Sequence, residues 1–366
     1  MRKIFRLIFV AVLAAAGWLA WDLLAPVTPS GQTYVMLRPG YSTRRIASEL
    51  KSAGVIRSEE AFIFWRYLRR RRSLKAGEYL FDKPSNIIDI QKRLRRGDVY
   101  FHTVVIPEGF TMFDIARAIE AAGLGPAQDF LKVAQSDTAL IADLAPDAPS
   151  LEGYLFPDTY EFSRMQTMED MAAAMVCQFR IVSTQIGLRG PAAGGTVTDR
   201  SSETATPPHR CGFITGRISN LNEGPVEPPL DPQHTVTMAS IVEKETAVAD
   251  ERPLVASVYY NRLGKKIALD ADPSVIYAEL LAGTYTGALH HDDMHFNSPY
   301  NTYKYAGLPP GPIANPGKSA LEAAMHPAKS DYYYFVADAA GHHRFARTIE
   351  EHNNNVAAYR RAMRGQ

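Results

Sequence analysis

The sequence predicts an α+β fold with a membrane helix at its N-terminus, a small α/β repeat region after it, and a larger mixed α+β domain at the C-terminal end. Three observations lead to this prediction: an uncharged apolar stretch near the N-terminus, an internal repeat in the first third of the chain, and a regular apolar stripe on a helix in the last third. The 366 residues, 46% of them hydrophobic, are enough to bury one or two substantial cores.

The N-terminal stretch has no charged residue between Leu7 and Trp21. Residues 7–25 are about long enough to cross the hydrocarbon core of a bilayer, which leaves residues 1–6 as a cytoplasmic tail. The basic residues of this tail predict, by the positive-inside rule, a single-pass membrane protein whose N-terminus is cytoplasmic and whose bulk lies outside. A cleaved signal peptide is the alternative, but the small residues Ala14–Ala16 lie too far inside the apolar stretch, so we favour an uncleaved anchor.

A sequence repeat follows a short polar connector. Residues 38–55 align with residues 107–124, and each copy has a glycine, an aromatic residue and a Ser or Thr before an amphipathic stretch that ends in Ala-Gly. The matched positions are Gly40 and Gly109, Tyr41 and Phe110, Ser42 and Thr111, Ile46 and Ile115, Leu50 and Ile119, and Gly54 and Gly123. This order predicts a strand, a glycine turn, a capped helix and a glycine stop in each copy.

Small strand–helix repeats of this kind resemble LysM modules, which bind the N-acetylated sugars of cell-wall glycans. The resemblance implies a LysM-like region over residues 32–125. A spacer that lifts the rest of the chain off the membrane is a compatible alternative.

Residues 126–366 are predicted to form the mixed α+β domain. Its elements include a helix over residues 167–186 that Gly187 stops; nearer the C-terminus, they are a helix over residues 319–325, a strand over 332–337 and a helix over 348–363. Residues 190–232 are rich in Gly, Pro, Ser and Thr, which predicts an irregular insertion. The two cysteines, Cys177 and Cys211, fit neither a disulfide framework nor a zinc site, and whether they pair stays open.

One carboxyl interrupts the apolar stripe of the helix predicted from Thr237 onward. The apolar residues of the stripe are Met238, Ile241, Val242, Val248 and Ala249. Glu245 falls on the same side, whereas we expect Glu243, together with Lys244 and Glu251, to face water. A carboxyl among apolar groups loses hydration, which raises its pKa from ~4.3 toward neutrality and suits a general acid. The alternative is a salt-bridged helix in which Glu245 has no chemical role.

The composition and the remaining motifs exclude several other kinds of site. A formal net charge of +1, without a strip of basic and aromatic residues, argues against nucleic-acid binding. The segment His290–His295 suggests a metal, but it lies between glycine-rich and proline-rich stretches typical of a surface loop. We therefore predict neither a metal site nor a cofactor.

Four segments together resemble the MltG (YceG-like) endolytic murein transglycosylase family. They are Leu151–Tyr160, Ala239–Thr246, Asp272–Tyr277, and Tyr300–Tyr303 with Gly307–Ile313. The resemblance covers nearly the whole chain and departs from the family's usual pattern in the long segment of residues 190–232.

The resemblance implies a lyase that acts on the glycan strands of peptidoglycan. Such enzymes cut between N-acetylmuramic acid and N-acetylglucosamine and leave a 1,6-anhydro-muramyl end, which implies a role in ending the elongation of nascent strands. The motif match makes Glu245 the catalytic residue. Glu152 and Asp272 become candidate supporting carboxylates, and Tyr160, Asn301 and Tyr303 candidate sugar contacts. The implied partners are glycan strands, the membrane and peptidoglycan synthases.

Two alternatives remain open at this point. A muramidase would hydrolyse the same bond with water and would need a second essential carboxylate. A non-catalytic wall-binding scaffold would recruit synthesis enzymes and would not depend on Glu245.

Overall fold

The structure is a computed structural model that describes residues 2–69, 73–188 and 231–364. The predicted insertion of residues 190–232 lies outside the described residues except for its last two positions. Cys211 lies outside them as well.

Within these ranges the chain mixes α-helices with short strands, which confirms the predicted α+β class in its general form. The helices are α1 (Arg2–Leu24), α2 (Thr43–Ser52), α3 (Glu59–Leu68), α4 (Ile87–Arg96), α5 (Met112–Ala121), α6 (Ala127–Ser136), α7 (Met168–Ile186), α8 (Pro232–Glu245), α9 (Arg252–Gly264), α10 (Asp272–Ala282), α11 (Lys318–Met325) and α12 (Ile349–Arg364). The strands are β1 (Thr33–Leu37), β2 (Gly77–Phe81), β3 (His102–Val105), β4 (Thr159–Phe162), β5 (Tyr334–Ala337) and β6 (His343–Ala346). They form three two-stranded sheets, β1–β2, β3–β4 and β5–β6.

The chain folds into two compact units. The first contains Met1–Thr103 and Glu161–Thr167, and the second contains Val104–Tyr160 and Met168–Gln366. The two copies of the repeat therefore belong to different units, with α2 in the first and α5 in the second. The assignment of residues 32–125 to a LysM-like region stays a prediction.

The first unit is built around an antiparallel hairpin. In the β1–β2 register Val35 pairs with Tyr79, and the alternation of side chains turns both toward the core. Helices α2, α3 and α4 cover this face. Helix α1 is long and apolar enough to be a membrane span or a signal sequence, and its last turn joins the core through Leu23. The guanidinium of Arg57 donates to the carbonyls of Ala25 and Pro26, both at 2.9 Å, and fixes the chain that leaves α1.

The repeat has the local structure that its sequence predicts. Gly40 and Gly109 both have positive φ, +81° and +75°, in the turn before the helix. The next helix is capped in each copy, by the side chain of Ser42 in α2 and by that of Thr111 in α5. Gly54 and Gly123, both at φ +69°, follow the two helices. The prediction of a turn, a capped helix and a glycine stop is confirmed in both copies.

Helix α8 is the central helix of the second unit. The side chain of Asp231 accepts a hydrogen bond from the backbone N–H of His234, and Pro232 occupies the first turn. Every residue from Thr235 to Val242 is buried. The buried positions of Met238, Ile241 and Val242 confirm the predicted apolar stripe, but its extension to Val248 and Ala249 is wrong. The helix ends at Glu245 because Thr246 adopts an extended backbone, and a 3-10 turn, Ala249–Glu251, leads into α9.

The predicted helices over residues 167–186, 319–325 and 348–363 correspond to α7, α11 and α12. Gly187, at φ +82°, follows α7 as predicted. The strand predicted over residues 332–337 is β5, and its partner β6 was not predicted. β6 begins with His343 and Arg344, and so short a strand carries little alternation in its sequence.

Candidate active site

Glu245, the last residue of α8, reaches a cavity of about 360 Å³. The cavity walls come from separate parts of the second unit: α9, the start of α10, the β5–β6 hairpin and α12. The residues in these walls include Tyr259, Arg262, Asp272, Tyr334, Phe335 and His352. Because α8 is buried over most of its length, its last turn delivers the carboxyl directly from the core to this space.

The surroundings of Glu245 raise its pKa to about 7. Burial is the largest cause, and the negative charge of Asp272 acts in the same direction. A hydrogen bond donated by the hydroxyl of Tyr259 and the positive charge of Arg262 oppose them. The carboxyl is therefore poised near neutral pH, where it can both give and take a proton. This is the behaviour that its place on the apolar stripe predicts.

Asp272 and Tyr303, both predicted site residues, meet at this cavity. The hydroxyl of Tyr303 donates to the carboxylate of Asp272 at 2.5 Å. Two hydroxyls join the segments that carry them: the backbone N–H of Ala271 donates to Oγ1 of Thr302 at 3.0 Å, and the same oxygen lies 2.8 Å from Oγ of Ser274. The fold thus brings two of the four sequence motifs together beside Glu245.

Arg262 belongs to the site, although we assigned it no role from the sequence. Its guanidinium donates to the carbonyls of Tyr333 and Leu269, at 2.9 Å and 2.7 Å, and lies over the ring of Tyr334 at 5.2 Å from its centroid. Asp270, which pairs with Arg262 at 3.1 Å, has a φ of +51°, an uncommon conformation for a residue other than glycine. The only signal for Arg262 in the sequence was its position in the stretch that continues from Glu245. An arginine on a helix usually faces solvent, so this signal was weak.

Glu152, predicted as a supporting carboxylate, lies in a closed network and not in the cavity wall. It is fully buried, and it accepts hydrogen bonds from the backbone N–H of Met112 at 2.9 Å, from Nδ2 of Asn315 at 2.6 Å and from the hydroxyl of Tyr277. Burial raises its pKa to about 8. Asn315 also accepts from the backbone N–H of Gly153 at 2.8 Å. This arrangement ties the start of α5 to two of the motif segments.

Asn301 and Tyr160, predicted as sugar contacts, are likewise absent from the cavity wall. Asn301 is completely buried and donates to the carbonyls of Met294 and Phe296, at 3.0 Å and 2.8 Å. The hydroxyl of Tyr160, in β4, donates to the carbonyl of Phe156 at 2.6 Å. Each side chain braces its own segment, because a polar group that loses contact with water needs an internal partner.

The expectation that Glu243 and Glu251 face water is wrong. The side chain of Glu243 is only 5% exposed; it pairs with Arg252 at 2.7 Å and accepts from the backbone N–H of Gly317 at 2.9 Å. Glu251 accepts from Nδ1 of His343, at 2.7 Å. The sequence could not indicate these partners, since the short turn after α8 returns the chain to the helix end. Lys244 is exposed, as expected.

The segment His291–His295 forms an exposed 3-10 turn. Across residues 2–69, 73–188 and 231–364, no group of three or more His, Cys, Asp or Glu side chains is arranged to hold a metal ion.

A carboxyl with a raised pKa, hydrogen-bonded by a tyrosine in a cavity that also holds an arginine and a second carboxylate, is typical of an acid–base enzyme site. Comparison with known proteins gives the family. The chain matches the YceG-like family over residues 35–358. A solved structure of a putative YceG-like protein from Listeria monocytogenes, 30% identical, covers 88% of this chain and 98% of its own length with a TM-score of 0.51.

Two curated relatives have the same name, endolytic murein transglycosylase. The protein from Bacillus subtilis is 33% identical over 357 residues, which are 92% of this chain and 88% of the relative. The protein from Streptococcus pneumoniae is 29% identical over 388 residues, 96% of this chain but 64% of its own length. The chain belongs to the YceG-like family, which confirms the resemblance found in its four motifs.

Proposed function

We propose that this protein is an endolytic lytic transglycosylase that cleaves the glycan strands of peptidoglycan and uses Glu245 as its acid and base. The observation that carries the proposal is the position of Glu245, whose pKa of about 7 places it between its two protonation states in an accessible cavity. The name shared by relatives from two organisms supplies the substrate and the reaction.

A single carboxyl can carry both halves of the reaction. Glu245 first donates its proton to the glycosidic oxygen between N-acetylmuramic acid and N-acetylglucosamine, and the bond from the anomeric carbon to that oxygen breaks. The Glu245 carboxylate then accepts the proton of the muramyl 6-hydroxyl, whose oxygen bonds to the anomeric carbon. The product is a 1,6-anhydro ring, no water is consumed, and Glu245 recovers its proton.

The neighbouring groups support these two steps. Asp272 carries the negative charge that raises the pKa of Glu245, and the same charge favours the positive character that develops at the anomeric carbon. Tyr303 holds the carboxylate of Asp272 in place through its hydrogen bond. Tyr259 orients the carboxyl of Glu245 in a similar way. Glu152, in its closed network, has no part in this mechanism.

The cellular arrangement is part of the same proposal. Helix α1 anchors the protein in the inner membrane, with the N-terminus in the cytoplasm and the bulk in the periplasm, as the basic residues in its first two turns predict. The LysM-like region, residues 32–125, binds glycan or acts as a spacer. A site held near the membrane suits the cutting of nascent strands, which would end their elongation, and peptidoglycan synthases are the partners that this task implies.

The test is mass spectrometry of the fragments released from purified glycan strands by the full chain in detergent. We compare the wild type, Glu245→Gln, and the control Glu322→Gln, which alters an exposed carboxyl on α11. The proposal expects fragments with 1,6-anhydro ends from the wild type and the control, and none from Glu245→Gln.

Hydrolysis is the second candidate, because Asp272 provides a second carboxylate in the same cavity. A muramidase would release reducing ends in place of anhydro ends. A non-catalytic scaffold would release no fragments from any variant. Either result would overturn the proposed reaction.

A further inference from the structure

The protein binds two of the three guanidinium nitrogens of Arg262. Nε donates to the carbonyl of Tyr333, and Nη1 is shared among the carbonyls of Ala268 and Leu269 and the carboxylate of Asp270. Nη2 has no hydrogen-bond partner in the part of the chain that the structure describes, yet it is accessible to solvent. Arg262 itself is only 9% exposed, and the accessible space beside it is the cavity that Glu245 enters.

The orientation of Nη2 is held firmly. The guanidinium lies over one face of the Tyr334 ring, and the imidazole of His352 stacks against Tyr334 with their centroids 5.4 Å apart and the rings at 30°. Four acceptors hold Nε and Nη1. A donor fixed in this way loses little conformational freedom when a ligand binds it, so its two N–H groups are suited to recognition.

The charges in the cavity restrict what Nη2 can bind. Asp270 and Asp272 both line it as carboxylates, against the single positive charge of Arg262. A free carboxylate on the ligand would meet these two like charges. A neutral oxygen acceptor avoids that repulsion and still forms a charge-assisted hydrogen bond with Nη2.

We propose that Arg262 binds an amide carbonyl oxygen of the muramyl residue and thereby positions that sugar for Glu245. The inference rests on the proposed transglycosylase function. A muramyl residue carries two such oxygens, one in its 2-acetamido group and one in the amide that joins its lactyl group to the peptide. Both present the same chemistry to a guanidinium, and the experiment below separates them.

The experiment measures kcat/KM of the full chain on three glycan substrates: native strands, de-N-acetylated strands, and strands whose peptides have been removed to leave a free lactyl carboxylate. The enzymes are the wild type, Arg262→Lys, and the control Arg252→Lys. Arg252 is a matched control because it is an equally buried arginine on the same helix, and it pairs with Glu243 and does not line the cavity.

We expect the wild type to lose about tenfold or more in kcat/KM on one of the two modified strands. A loss of this size is expected when one charge-assisted hydrogen bond to the substrate is removed. Arg262→Lys should reduce that ratio of native to modified strand to about twofold or less, while Arg252→Lys should keep the ratio of the wild type. A ratio between substrates cancels any general loss of activity that a substitution causes. The strand that is discriminated against identifies the oxygen.

The inference is overturned if the wild type cuts all three strands within twofold, or if Arg262→Lys keeps the full ratio. If Arg262→Lys does not fold, Tyr334→Leu replaces it, since it removes the ring beneath the guanidinium but keeps Arg262; an unchanged ratio in that variant would also overturn the inference. Failure of the proposed function itself would look different: native strands would give no anhydro products with the wild type.

Discussion

Two carboxyls of the second unit, Glu152 and Glu245, both have a raised pKa but differ in their access to a cavity. Burial is the largest cause of a raised pKa in both, to about 8 for Glu152 and about 7 for Glu245. Glu152 is enclosed by Met112, Asn315 and Tyr277, which donate to its oxygens. Glu245 has one tyrosine donor and opens onto a cavity.

The comparison shows that a raised pKa does not by itself mark an active site. A carboxyl becomes useful for acid–base chemistry only where a substrate can reach it, and every oxygen of Glu152 is committed to the protein. The sequence placed both residues in motifs of the same family resemblance. Only their surroundings distinguish them.

The largest expected effect sharpens this contrast. Glu245→Gln should lower kcat/KM by at least about 100-fold, the usual contribution of general acid–base catalysis. Its melting temperature should stay equal or rise, because the substitution removes a carboxyl that burial disfavours in its charged form. Activity assays and thermal unfolding of the same preparation test both parts, and a variant that loses activity only because it unfolds would contradict the prediction.

Glu152→Gln should produce the opposite pattern, with a loss of about 1–3 kcal/mol in the free energy of unfolding and kcat within a few-fold of the wild type. The amide cannot accept all the hydrogen bonds that the carboxyl accepts. Denaturant unfolding measures the loss, with Glu322→Gln as the exposed control. A large drop in kcat at full folding would move Glu152 into the catalytic group.

Glu152 should also make stability depend on pH. Its pKa is about 8 when folded and near 4.5 when unfolded, so between these values the folded state holds a proton that the unfolded state has lost. Stability should therefore fall as pH rises from about 4.5 to about 8, by at most about 1.4 kcal/mol per pH unit from this group. Glu152→Gln should make the slope shallower; an unchanged slope would contradict the pKa shift. Glu245 contributes in the same direction between about 4.5 and 7.

Asp272→Asn should shift the pH–rate profile. The negative charge of Asp272 raises the pKa of Glu245, so the amide lowers that pKa. Since the acid must be protonated to act, the alkaline fall in kcat/KM should move to lower pH. A profile that stays in place would mean that Asp272 does not act on Glu245 through its charge.

Tyr259→Phe should move the alkaline fall in kcat/KM to higher pH, and this is the smallest of the expected effects. The hydroxyl of Tyr259 donates to Glu245 and lowers its pKa, so its removal raises the pKa and extends activity to higher pH. Opposite shifts from Asp272→Asn and Tyr259→Phe would identify Glu245 as the group that titrates. Shifts of the same sign would exclude it.

Much of the local structure was predictable. The glycines and the caps Ser42 and Thr111 predicted the two repeat helices, and Gly187 predicted the end of α7. The apolar stripe selected Glu245 over Glu243 as the carboxyl that lies among apolar groups near the helix end. These features depend on residues within one or two turns of each other, so the sequence contains their causes.

The site was predicted less completely. Asp272 and Tyr303 meet at the cavity. Asn301, two residues before Tyr303, instead donates its side-chain N–H groups to backbone carbonyls. Membership of a motif could not separate these roles, because neighbours in a turn point to different sides. Arg262 was missed since its partners come from the loop before α10 and from Tyr333 and Tyr334 at the start of β5.

The sequence by itself determined the α+β class, the capped helices and the apolar N-terminal helix, and its apolar stripe predicted a carboxyl with a raised pKa at Glu245, because periodicity and capping act over short distances. Only the tertiary structure decided that Glu243 is buried against Arg252 and that Glu152 is enclosed by internal hydrogen-bond donors. It also decided that Arg262 and Asp272 line the same cavity as Glu245. These outcomes depend on segments far apart in the chain that return to the end of α8. Burial and charge at a site are properties of that assembly, and no local pattern contains them.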